Sequence, residues 1–117
     1  MENIIKIFYL IVHYEKVNID LVSYLSRSLH RNLSTKQHLY KFESVLLKFL
    51  GRDIFKISSL KEKNEQFRQL RKALVPLEKD SYEKSAFREF DFIAWVESKI
   101  ENKSFAEVVR EKADKYA

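Results

Sequence analysis

Between Ile4 and Tyr14 only Lys6 and His13 interrupt an apolar run, so a helix built here is greasy around nearly its whole circumference and calls for neighbours on two sides. Further along, Leu21, Val22, Leu25, Leu29 and Leu33 recur at three-to-four spacing, as do Phe42, Val45, Leu46 and Phe49. Phe67, Leu70 and Leu74 form another such stripe, followed by Phe87, Phe90, Ile93, Ala94 and Ile100. The boundaries carry helix-end chemistry. Asn18 and Ser34 stand where helices open, and Gly51 stands where one would end on a left-handed residue. Ser59 with Glu62, and Ser104 with Glu107, have capping-box spacing. The pattern predicts an all-α fold of about six helices, at 3–16, 19–33, 35–50, 59–75, 82–101 and 105–115. These are antiparallel hairpins stacked as a short solenoid or bundle, with almost no linker at 33–35 and a break near Pro76 to Ser81.

Composition sharpens this picture. One glycine and one proline in 117 residues leave little material for the tight turns of a β-sheet. With 45% hydrophobic and 33% charged residues the chain lies outside the disordered class, and its length suits a single domain spanning 1–117. The absence of cysteine removes disulfides and thiolate chemistry and fits a reducing compartment. The longest uninterrupted apolar stretch, Ile7 to Val12, is far shorter than the roughly 20 residues that span a bilayer. The expectation is a soluble, cytoplasmic protein with no membrane association. Of the net charge of +5, most lies in the first half, where residues 1–57 hold nine Lys/Arg against five Asp/Glu.

The segments LIVHYEKVNIDLVSYLSRSLHRNL (10–33), HLYKFESVLLKFL (38–50), FRQLRKALVPLEKDSYEKSAF (67–87) and FDFIAWVESKI (90–100) occur in that order. The 3–33 hairpin, turning through Glu15 to Asp20, has the proportions of a tetratricopeptide unit. Together these segments resemble the C-terminal helical region of uncharacterised tetratricopeptide-like proteins of Bacteroidetes-type bacteria. The resemblance implies a helical-repeat, partner-binding role and brings no catalytic residues with it. It also implies repeats upstream, so that the chain would be the C-terminal end of a longer helical-repeat protein. Helix 3–16 would then dock on those repeats or, without them, mediate a homodimer, because a solenoid's terminal unit is covered on one side only. Ile4, Ile5, Phe8 and Ile11 are the candidate partner-binding residues.

Catalytic chemistry finds little support. His13, His30 and His38 are the only imidazoles, and His13 shares the sole polar stripe of its helix with Lys6 and Lys16. His30 and His38 could approach near Ser34, but a metal would need further convergent ligands, and none is expected. A single glycine rules out the usual phosphate loops. Acid pairs such as Glu62/Glu65 and Asp80/Glu83 fall at helix first turns, where carboxylates favour the positive dipole end. Asp91 sits among Phe87, Phe90, Ala94 and Trp95, and reads as a structural carboxylate paired with Arg27 or with the hydroxyl of Tyr24 or Tyr40. No enzyme activity, cofactor or metal is therefore expected.

The rival reading is nucleic-acid binding by the basic 27–56 stretch, with Arg27, Arg31, Lys36, Lys41 and Lys48 as contacts. Against it, these cations are spaced around two helices without gathering on one face, which favours a solvated surface, and the 33–35 junction lacks the glycine-bearing turn of a helix-turn-helix reader.

Overall fold

The computed structural model describes residues 3–35 and 40–116. Among them lie seven α-helices and no strand: α1 (Asn3–Glu15), α2 (Ile19–Thr35), α3 (Lys41–Gly51), α4 (Leu60–Leu74), α5 (Lys84–Glu89), α6 (Phe92–Glu101) and α7 (Phe105–Tyr116). Short 3₁₀ turns at Asp53–Lys56 and Val75–Lys79 fill the connectors after α3 and α4. In chain order α1, α2, α3 and α4 each pack on the next, α1 also reaches α3, and α6 lies between α4 and α7. The described helices span 42 × 36 × 21 Å along the principal axes.

The core follows from the stripes. On α4 the buried positions Phe67, Leu70 and Leu74 form the expected row. On α6 every residue from Phe92 to Val96 is buried, because neighbours cover that helix on several sides. Phe49, Phe67 and Trp95 meet in one aromatic cluster, with Tyr14 edge-on to the last two. Burial raises the Tyr14 phenol above its ordinary value of 10.0, with the Glu15 carboxylate adding to the effect. Because the folded state holds that proton more tightly, the associated stability is complete below pH 10 and declines as pH rises beyond it. Tyr14→Phe should therefore flatten the alkaline limb of a stability-versus-pH curve measured by urea denaturation.

Several boundaries differ from the sequence reading. The second helix runs past Ser34 to Thr35, and the third begins at Lys41. Its first turn is held by two buried carboxylates: Glu43 accepts the Tyr40 N–H at 2.9 Å, and Glu83 accepts the Lys41 N–H. Tertiary capping from a residue 42 positions away thus overrides the local signal at Ser34. The expected helix 82–101 is split. Phe90 is extended and Asp91 caps α6 by accepting the Ala94 N–H at 2.9 Å. Ser59 and Ser104 do open α4 and α7, each accepting the backbone N–H three residues on.

Gly51 is not left-handed. Among the described residues the positive-φ positions are Val17 and Asn102. Asn102 tolerates that conformation after α6, whereas Val17 (φ 63°) is a β-branched residue in the place where a Schellman turn prefers glycine. The turn is complete, with Val17 N–H bonded to Tyr14 O and Asn18 N–H to His13 O. The valine side chain is 76% exposed, so packing gains little to offset the strain. Val17→Gly should stabilise the protein by about 1 kcal/mol, raising the thermal midpoint by about 4 °C. An unchanged or lower midpoint would mean that the turn is not strained.

Candidate interaction surfaces

The structure divides the four residues expected on the partner-binding face of α1. Ile4 and Ile11 are buried and belong with Ile7 and Leu10 to the internal core. Neither is available to a partner, since their i, i+7 spacing places both on the inward stripe. Ile5 is 72% exposed and Phe8 46% exposed. Phe8 is nevertheless anchored, its ring meeting Phe90 edge-on at 5.2 Å, and Phe90 in turn stacks on Phe105 of α7 at 5.2 Å. The outward apolar character of α1 therefore centres on Ile5 and Tyr9. These two line a groove of about 430 Å³ between α1 and α2, floored by Leu10 and walled by Leu25 and Leu29. Lys6, Ser28 and Asn32 supply its polar margin. Tyr9, Leu25 and Leu29 were not singled out as contacts because the sequence does not show which sides of two neighbouring helices face one groove.

A second groove, of about 540 Å³, runs between α2 and α3. It is lined by Tyr24, Arg27, His30 and Arg31 on one side and by Ser44, Leu47, Lys48 and Arg52 on the other. The cations were expected to be scattered, and four of them instead converge here. The reason is helical spacing: Arg27 and Arg31 are four residues apart, as are Lys48 and Arg52, and α2 packs on α3 so that the two pairs face a common space. No carboxylate lines the groove, and none of the ion pairs among the described residues involves these four cations. Lys41 and Lys56 do not line the groove, and Lys56 pairs with Asp53 at 3.5 Å. Lys36 and His38 lie outside the described residues.

The seam between α2 and α3 is unusually close. Ser23 Oγ donates to the Gly51 carbonyl at 2.8 Å, and a side-chain carbon placed on Gly51 would stand 3.0 Å from Arg27 Cγ. The neighbouring helix approaches so closely that only a small residue fits at position 51, and this approach brings the Arg27 stem against the end of α3.

The residues considered for chemistry have structural partners. Asn18 Nδ2 donates to His13 Nδ1 at 3.1 Å, and the His13 ring sits edge-on to Tyr9. His30 Nε2 lies 3.4 Å from Ser44 Oγ. Among the described residues, no three His, Asp or Glu side chains gather as a metal site would require. Asp91 is half-buried and paired, but its partner is Lys112 of α7, at 3.1 Å, rather than Arg27 or a tyrosine. Asp91→Asn keeps the cap acceptor and loses only a partly exposed ion pair, so it should cost under about 1 kcal/mol. Asp91→Ala removes the cap as well and should cost about 1–2 kcal/mol by urea denaturation. Equal losses would show that the cap contributes nothing. A link that the sequence reading missed joins the end of α1 to α6, where the Glu15 carboxylate accepts from Trp95 Nε1 at 2.8 Å and pairs with Lys99.

No family model, curated protein or solved structure matches this chain. No helix among the described residues is long and apolar enough to cross a membrane.

Proposed function

We propose that the chain is a non-catalytic protein-interaction module of the helical-repeat, tetratricopeptide-like type, binding a partner helix in the groove between α1 and α2. The observation that carries this reading is the exposure of Ile5 and Tyr9 beside Leu25 and Leu29, an apolar trough open along two adjoining helices. An amphipathic helix fits such a trough by placing residues at i, i+3, i+4 and i+7 into it. Charge favours a partner over a second copy. The groove margin holds Lys6 and no carboxylate, and the whole chain carries +5, so two copies repel while a helix with acidic flanks is attracted.

The test is a titration with a fluorescein-labelled amphipathic peptide, leucine on one face and glutamate on the other, alongside the solution mass by light scattering. Expected are a monomer and micromolar peptide binding that Ile5→Glu abolishes while the circular-dichroism melt is unchanged. Ile5 is preferred to Phe8 for substitution because the Phe8 ring also packs on Phe90. Binding indifferent to Ile5→Glu, or no binding, overturns the reading. A dimer that Ile5→Glu converts to a monomer would replace the partner helix by a second copy.

A further inference from the structure

We infer that the groove between α2 and α3 binds single-stranded nucleic acid through its phosphate backbone, with the Tyr24 ring stacking on a base. This is a site separate from the apolar trough, lined by different residues. Arg27, Arg31, Lys48 and Arg52 face one space with no carboxylate among its lining residues, so the groove concentrates positive charge that a polyanion can neutralise by displacing solvent ions. Three of the four are arginines, whose planar guanidinium groups fit phosphate oxygens in pairs. His30 Nε2 and Ser44 Oγ lie 3.4 Å apart, so the lining also carries a polar pair that bridges the two helices.

Two features select a single strand. The cations line a concave groove, whereas reading a duplex requires a convex element that enters the major groove. Tyr24 stands on the rim with 62% of its surface exposed, and a rim aromatic beside a basic groove is the arrangement on which successive unpaired bases stack. Tyr24 lies three residues before Arg27, on the same face of α2. The Tyr24 ring and the two arginines thus line one groove from the same helix, where a stacked base and its phosphate can be held together.

The experiment is fluorescence anisotropy with a labelled single-stranded oligonucleotide of about twenty thymidines, repeated with RNA, with the matching duplex and with unlabelled polyglutamate as competitor. Four phosphate contacts predict that affinity falls about 50-fold between about 50 and 200 mM salt. Arg31→Gln combined with Lys48→Gln should weaken binding and halve that salt dependence. Both side chains are exposed and outside any ion pair of the described residues, so the fold should tolerate the change. Tyr24→Ala should weaken binding at least about fivefold while leaving the salt dependence unchanged, a split that a loss of general positive charge would not produce. Salt-insensitive binding, tighter binding of the duplex, full competition by polyglutamate at equal charge, or indifference to Arg31→Gln/Lys48→Gln would each overturn the inference.

Discussion

Phe67→Ala should cost about 3–5 kcal/mol and lower the thermal midpoint by more than about 10 °C, because one ring joins aromatic side chains from three other helices. Its centroid lies 4.8 Å from Phe49 of α3, 5.6 Å from Trp95 of α6 and 6.1 Å from Tyr14 of α1. Truncation leaves a cavity bordered by four rigid elements, and such a site collapses poorly. The sole tryptophan reports directly on it, so emission from Trp95 should shift with the unfolding transition. Phe55→Ala is the contrast: that ring is exposed in the 3₁₀ turn after α3, and its removal should change stability by no more than about 0.5 kcal/mol. A Phe67→Ala loss below about 1 kcal/mol would mean that the helices are held together elsewhere.

The existence of the helices was legible because their stripes are long and glycine and proline are nearly absent, so no competing local structure is encoded. Boundaries were less legible where a distant group decided them. Ser34 has a good capping side chain, yet α2 continues through it, and the next helix starts where the Glu83 and Glu43 carboxylates receive the first N–H groups. Nothing local to position 41 announces Glu83. The split at Phe90 was partly legible: Asp91, three residues before Ala94, is an adequate cap, but its apolar neighbours matched a continuous stripe and masked it.

Surfaces were less legible again, for a geometric reason. The stripe of α1 is apolar on both sides, and periodicity alone does not say which side is covered, so Ile4 and Ile11 were grouped with Ile5 and Phe8. The basic residues show the converse. Spacing of four within each of Arg27/Arg31 and Lys48/Arg52 was visible, but their convergence depends on how α2 is rotated against α3. That rotation is set by Ser23, Ser26 and Gly51, small residues whose role as a contact seam carries no hydrophobic signal.

This seam makes the second large effect a test of both packing and charge. Gly51→Leu should destabilise the protein by about 1–3 kcal/mol, because a larger side chain has to displace Arg27 and then the α2 backbone, whose Arg27 nitrogen would lie 3.6 Å from the added Cβ. Gly51→Ala should be far milder. Its methyl group presses on the flexible Arg27 stem at 3.0 Å and meets the Arg27 nitrogen and Ser26 Cβ at an ordinary 3.6 Å, while alanine has the better helix propensity. A left-handed glycine would behave differently: both substitutions would then be costly, since alanine resists positive φ as well. The near-neutral alanine and costly leucine thus distinguish close approach from backbone conformation. Since Arg27 and Arg31 ride on the helix that Gly51→Leu pushes away, the same variant should also lose salt-dependent oligonucleotide binding at a temperature where it remains folded. Retained binding in a folded Gly51→Leu protein would show that the four cations act independently of the seam that brings them together.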